Sequence, residues 1–160
     1  VTSIKKNAFA GCASLKEITI PDGVTAIPEQ GFYNCTSLTT IVFPNNLTEI
    51  GQFAFGNCYS LTSFEVPNTV TKILPRTFYQ CTSLTDVIIP NSKTSIESEA
   101  FYNCNGLKNV SINLVTPLDI DANVFDFISL NDVTLKVPSN STSTYNAADV
   151  WQDFGTITGL

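Results

Sequence analysis

The sequence predicts an α/β solenoid, with a parallel sheet along one face, short helical turns on the opposite face and a separate C-terminal cap. Three observations predict it. Cysteines stand at positions 12, 35, 58, 81 and 104, each 23 residues from the next. Phe9, Phe32, Phe55, Phe78 and Phe101 keep the same interval, and so do Leu15, Leu38, Leu61, Leu84 and Leu107. After Leu15 and Leu61 apolar and polar residues alternate until a proline, in Ile18-Thr19-Ile20-Pro21 and Phe64-Glu65-Val66-Pro67, and the apolar positions recur in the other copies. Self-similarity at a fixed period of roughly 20 to 50 residues marks stacked units that cannot bury an apolar face alone.

Each element of the coil follows from the residues that repeat. The alternating stretch has strand periodicity, with inward positions at Ile18 and Ile20, Ile41 and Phe43, Phe64 and Val66, Val87 and Ile89, and Val110 and Ile112. Pro21, Pro44, Pro67 and Pro90 stop the strands, because proline offers no N–H to a ladder. A crossing segment then carries an apolar pair three residues apart, at Val24 and Ile27, Leu47 and Ile50, and Val70 and Ile73. In the fourth repeat Lys93 replaces the first member while Ile96 keeps the second, so looser packing is expected there, or a lysine stem lying along the surface. Pro28 and Pro75 suit the first turn of a short helix leading to the phenylalanine. The residue before that phenylalanine is Ala8, Gly31, Ala54, Thr77 or Ala100, small enough for coils to approach closely.

The repeated cysteine admits three readings. Equivalent residues in stacked coils lie about 4.8 Å apart, but their Cβ vectors run parallel, which is poor disulfide geometry. Zinc sites need closely spaced Cys pairs and usually His; here the gap is 23 residues and there is no His. The third reading is a buried rung, with Cys as a small hydrophobe, and it is the one expected.

The pattern AFxxCxxLxxIxIPxxVxxI, from Ala8 to Ile27, resembles the BspA-like leucine-rich repeats of bacterial surface proteins, and residues 1–112 carry it five times. The resemblance implies a leucine-rich-repeat right-handed superhelix. It also implies a secreted or cell-surface location and adhesion to host or bacterial surface macromolecules, extracellular-matrix proteins such as fibronectin and fibrinogen among them. Residues 135–154 resemble the segment that closes such proteins. Within it Tyr145, Ala148, Trp151 and Phe154 recur every three residues, as on one face of a short helix that covers the last core. The expected division is five repeats over 1–112, then a degenerate repeat and C-terminal cap over 113–160. In the degenerate repeat Phe125 and Ile128 hold the Phe and Cys places, and Val133, Leu135 and Val137 form a sixth strand ended by Pro138. Val1 and Ile4 read as the second half of a coil, so the chain is expected to continue upstream.

Several function classes drop out. With 8 Lys and Arg, scattered, and a net charge of −6, no basic stripe can neutralise a phosphate backbone, so no nucleic-acid partner is expected. No apolar run approaches the roughly 20 residues of a membrane helix. Without His, neither Ser-His-Asp nor Cys-His catalysis can be assembled within this chain. No catalytic residue, cofactor site or metal site is predicted. Asp119-Ile-Asp121-Ala-Asn123 opens like a calcium loop but places Val124 where Gly is needed and Leu130 where Glu is needed.

What remains is surface. The outward strand positions form two columns, Glu17, Thr40, Ser63, Asp86, Asn109 and Thr19, Val42, Glu65, Ile88, Ser111. They are the predicted protein-binding face, with Val42 and Ile88 the apolar members. The expected function is a monomeric, non-enzymatic interaction or adhesion module. Two alternatives stay open, a structural spacer for another domain and a carbohydrate-binding module. The second lacks support from a row of exposed aromatics, since the one Trp falls in the closing segment.

Overall fold

The computed structural model describes residues 1–92 and 95–160. The chain winds as a parallel β-solenoid of about six turns. Each of the first four coils supplies two short strands: β1 (Glu17–Thr19) and β2 (Ala26–Ile27), β3 (Thr40–Val42) and β4 (Glu49–Ile50), β5 (Ser63–Glu65) and β6 (Lys72–Ile73), β7 (Asp86–Ile89) and β8 (Ser95–Ile96). Then follow β9 (Asn109–Ile112), β10 (Thr134–Val137) and β11 (Thr156–Gly159). Through β9 the register is the sequence period itself: Ile18 lies beside Ile41, Val87 beside Val110, and Ile73 beside Ile96. The expectation for Lys93 lies outside the described residues.

The strand face is not one sheet. β5, β7, β9, β10 and β11 form a continuous parallel sheet, β1 pairs with β3, and no pairing joins β3 to β5. At the other coil steps one N–H recurs as a link: Thr39 donates to the Lys16 carbonyl at 2.8 Å, Thr85 to Thr62 at 2.8 Å, Lys108 to Thr85 at 2.9 Å and Thr134 to Lys108 at 2.8 Å. Thr62 makes no such bond to coil two. The two coils stay joined elsewhere, for example by Phe32 N–H to the Ala54 carbonyl at 2.8 Å. The residue pattern explains the break. Phe43 and Phe64 put rings, 5.5 Å apart between centroids, where the neighbouring coils put Ile20, Val66, Val87 and Ile89. Two rings need more width than branched aliphatics, and the strands above them part.

The core is made of columns. The phenylalanine rings stack from Phe9 through Phe32, Phe55, Phe78 and Phe101 to Phe125, with centroids 5.1, 5.6, 5.8, 5.2 and 5.5 Å apart. Each such pair adds about 0.5 to 1.5 kcal/mol beyond the area it buries. Cys35, Cys58, Cys81 and Cys104 are fully buried, and all five cysteines are free. Cys12 departs from the expected rung and is exposed. The prolines turn the corner as expected: Val24 and Val70 N–H groups each bond the proline carbonyl three residues back, at 2.9 Å.

Short helical turns do not form opposite the strands. The segment leading to each phenylalanine is a run of tight turns with two left-handed residues four apart. They are Asn7 and Gly11, Gln30 and Asn34, Phe53 and Asn57, Arg76 and Gln80, and Glu99 and Asn103, with φ between 54° and 75°. A right-handed helix cannot contain such residues. The cause is spacing. Packed helices sit about 8 to 10 Å apart, whereas stacked strands sit about 4.8 Å apart. A turn run keeps to the strand spacing because alternate N–H groups bond the next coil. Phe55 donates to the Thr77 carbonyl at 2.9 Å and Asn57 to Tyr79 at 2.7 Å, while Gly56 and Cys58 bond within their own turns.

In residues 113–160, Phe125 takes the phenylalanine place and Ile128 the cysteine place, with the Ile128 N–H on the Phe125 carbonyl at 3.2 Å. The sixth strand is β10. The helix expected over Tyr145, Ala148, Trp151 and Phe154 is replaced by one α-turn, α1 (Thr142–Tyr145), and a 3₁₀ turn over Trp151–Asp153. Val150, at φ 67°, interrupts the path between them. Tyr145, Trp151 and Phe154 are nevertheless buried together. Trp151 and Phe154 lie 6.0 and 5.4 Å from the Phe125 ring. Trp151 Nε1–H bonds the Leu118 carbonyl at 2.7 Å and the Tyr145 hydroxyl bonds Leu114 at 3.0 Å. β11 was not predicted. Gly155 permits it, since a Cβ there would fall 1.8 Å from the Asn131 carbonyl oxygen.

Candidate functional site

The alternation of β1, β3, β5, β7 and β9 turns every second side chain outward, and stacking aligns these into the two predicted columns. Register places Glu17 beside Thr40 and Thr19 beside Val42. It places Ser63 beside Asp86 and Glu65 beside Ile88, then Asp86 beside Asn109 and Ile88 beside Ser111. Glu17, Thr19, Thr40, Val42, Ser63, Glu65 and Ile88 are exposed, and Asp86, Asn109 and Ser111 half-buried. The parting of β3 from β5 splits each column, so Thr40 and Val42 are not paired with Ser63 and Glu65.

Asp86 and Asn109 are held in place. The Asp86 carboxylate accepts from Asn109 Nδ2 at 2.9 Å and from the Thr85 hydroxyl at 2.6 Å. Val42 is 51% exposed and Ile88 46%, and neither contributes to the core. The face also extends further than the ten predicted residues. β10 and β11 add Thr134 and Thr156 to one column and Lys136 and Thr158 to the other. Lys136, between Leu135 and Val137, carries the alternation that could have announced its outward place.

Between β3 and β5 lies a slot of ≈ 650 Å³. Its signal in the sequence was the pair of rings at Phe43 and Phe64 in columns that are otherwise mainly aliphatic.

The opposite face corrects one expectation. A row of half-exposed aromatics does exist there, running Tyr33, Phe53, Tyr79, Tyr102 and Phe127, with centroids 5.9, 5.6, 4.9 and 4.8 Å apart. Gly56 leaves the room in the tyrosine column that Phe53 fills; a Cβ there would lie 2.9 Å from the Tyr33 ring. Arg76 sits over Phe53 at 5.5 Å and pairs with Glu99. Tyr79 and Tyr102 stack face to face, whereas the other contacts in the row are edge-on or tilted. Phe127, 69% exposed at the end of the row, is the most open of them.

Among the described residues no group of His, Cys, Asp or Glu is placed to hold a metal ion, and no helix is long and apolar enough to cross a membrane.

The BspA type leucine-rich repeat region matches residues 2–131 in six copies. No curated protein matches the chain in sequence. Among solved structures, a leucine-rich repeat protein from Bacteroides ovatus is 27% identical with a TM-score of 0.62, over 99% of this chain and 35% of that one. The T. pallidum leucine-rich repeat protein is 31% identical with a TM-score of 0.70, over 86% of this chain and 65% of that one. The pneumococcal vaccine antigen PcpA, 17% identical with a TM-score of 0.73 over 99% of this chain and 44% of its own, shares the fold. The chain thus spans about a third to two thirds of these proteins. With its repeat period and columns matched over 2–131, the chain belongs to the BspA-type leucine-rich-repeat family.

Proposed function

We propose that this chain is a non-enzymatic module that binds a protein through the strand face, as part of a secreted or cell-surface bacterial protein. The observation that carries the reading is the pair of outward aliphatics on the strand face, Ile88 exposed between Glu65 and Ser111 and Val42 exposed beside Thr19 across the parting of the strands. Solitary exposed aliphatics are ordinary. Two on one strand face, whose other outward side chains are polar, make an anchor-and-rim pattern suited to a macromolecular partner. The partner class we favour is an extracellular-matrix protein of a host or another bacterial surface protein. A screen of the chain against fibronectin, fibrinogen and a glycan panel tests this. Binding to a protein, weakened at least tenfold by Ile88→Lys, supports the reading. Binding to none favours the spacer, and binding to glycans alone favours the aromatic row.

We also propose that residues 1–112 act as the repeat domain and 113–160 as a degenerate repeat with a C-terminal cap, and that the coils wind right-handed, as parallel crossovers do in about 98% of cases. Deleting 139–160 should expose Phe125 and the inner side of β10 and make the protein aggregate. A deletion that stays monomeric with unchanged melting would make the tail an appendage.

A further inference from the structure

We propose that the slot between β3 and β5 is a strand-acceptor site: an extended segment of a partner protein enters it and hydrogen-bonds both walls, completing the broken sheet. This rests on the reading above only in taking the partner to be a protein.

The backbone groups support it. In a parallel pair a residue turns its N–H and C=O toward the same neighbour. Thr40 and Val42 face β1, since Thr40 N–H bonds the Lys16 carbonyl at 3.3 Å and the Val42 carbonyl accepts from Ile20 at 2.9 Å. Ile41 therefore faces the slot, as does the Phe43 N–H. On the other wall Val66 N–H bonds the Ile88 carbonyl at 2.9 Å, so Phe64 and Val66 face β7. Ser63 and Glu65 then turn their amides into the slot. Both walls are sheet edges, β3 of one sheet and β5 of the next, and unpaired ladder groups on such edges invite a strand. Strand addition to such edges draws its affinity from main-chain bonds.

The side chains specify the occupant. Phe43 and Phe64 meet below the slot and floor it. Ile41 and Phe43 are half-buried, whereas Val87, Ile89, Val110 and Ile112, their counterparts in closed coils, are buried. With the floor occupied by rings, the inward residues of an entering strand must be small. Its outward residues stand between Val42 on one wall and the Glu65 carboxylate on the other, which suits a Lys or Arg stem with its charge at Glu65. The occupant is thus an extended segment alternating Ala, Gly or Ser with Thr and Lys or Arg. A second copy of this chain is a poorer occupant, because every strand described here is already paired on at least one edge.

The test uses the whole chain and an acetylated, amidated probe peptide alternating Ala with Thr and Lys, beside the same peptide N-methylated at alternate amides. In the free protein the amides of Ile41, Phe43, Ser63 and Glu65 should exchange rapidly, and the peptide should slow them and bind saturably by calorimetry. N-methylation should weaken binding at least tenfold. Phe43→Ile with Phe64→Val restores the aliphatic types of the closed coils. It should close the ladder, protect these amides without peptide and abolish peptide binding. A partner lying on the sheet surface would survive that double variant, whose outward residues are unchanged, so the two readings fail separately. The proposal is overturned if the four amides are already protected in the free protein, or if the N-methylated peptide binds equally well. It is also overturned by amide protection that grows with protein concentration, which would assign the slot to a second copy. Should the double variant misfold, the two peptides against the wild-type chain still decide.

Discussion

Each buried thiol ties two coils together. Cys35 Sγ donates to the Phe9 carbonyl at 3.0 Å, Cys58 to Phe32 at 3.3 Å, Cys81 to Phe55 at 3.1 Å and Cys104 to Phe78 at 3.0 Å. The column therefore needs a side chain that is small, apolar in bulk and able to donate, and cysteine meets all three. Burial was legible in the sequence; the bond was not, because its acceptor lies 26 residues back in another coil. The bond changes what substitution should do. An unpaired buried hydroxyl would cost about 1 to 3 kcal/mol, but in Cys58→Ser the hydroxyl inherits the Phe32 carbonyl, so a loss of about 1 kcal/mol or less is expected. Phe55→Ala, which removes a ring packed against Phe32, Phe43, Phe64 and Phe78, should cost about 3 to 5 kcal/mol. Urea denaturation of both variants checks the ranking; equal losses would contradict it.

The same burial sets an alkaline limit. Burial raises the Cys35 thiol from 9.0 to about 11 and drives Cys58 and Cys81 up as well, with neighbouring thiols adding to it. Burial raises Tyr145 from 10.0 to about 12. Above pH 9 the unfolded chain holds fewer protons than the folded one, so stability falls as pH rises. The slope is about 1.4 kcal/mol per pH unit for each group between its two pKa values, and these groups leave stability unchanged below pH 9. Denaturation midpoints at about pH 7 and about pH 10.5 measure the loss, and equal midpoints would refute the burial of these thiols.

Elements were legible where a single coil dictates them. Strand positions, proline corners and the crossing pairs came from local pattern, since Ile20, Val24 and Ile27 are buried for reasons visible within one repeat. The turn segments were not, because their form is set by the distance to the next coil. Of the two left-handed positions, one reads Gly11, Asn34, Asn57, Gln80 and Asn103, in which Gly and Asn accept positive φ and could have been recognised. The other reads Asn7, Gln30, Phe53, Arg76 and Glu99, and only the ladder explains it. Gln80 alone departs from the Gly and Asn of its column. Gln80→Asn should relieve backbone strain and raise stability by about 0.5 kcal/mol, and a loss on thermal melting would show that the Gln80 side chain matters more than its φ. Similarly, the slot depends on two rings that each read as ordinary core residues in their own coil. Only their adjacency, Phe43 in one coil and Phe64 in the next, parts the strands.

At the scale of the molecule, the coils lean on their neighbours and the columns turn five weak repeats into one core. The candidate face was legible as far as β9, where the 23-residue period holds. It was lost at β10 and β11, whose register steps of 25 and 22 residues leave the period. The central claim is that equivalent residues stack as internal rungs, and thiol titration tests it most directly. The native protein is predicted to expose one reactive cysteine, Cys12, and to yield all five after denaturation. Three or more reactive thiols in the native state, or fewer than five after denaturation without reductant, would contradict the stacked, reduced column.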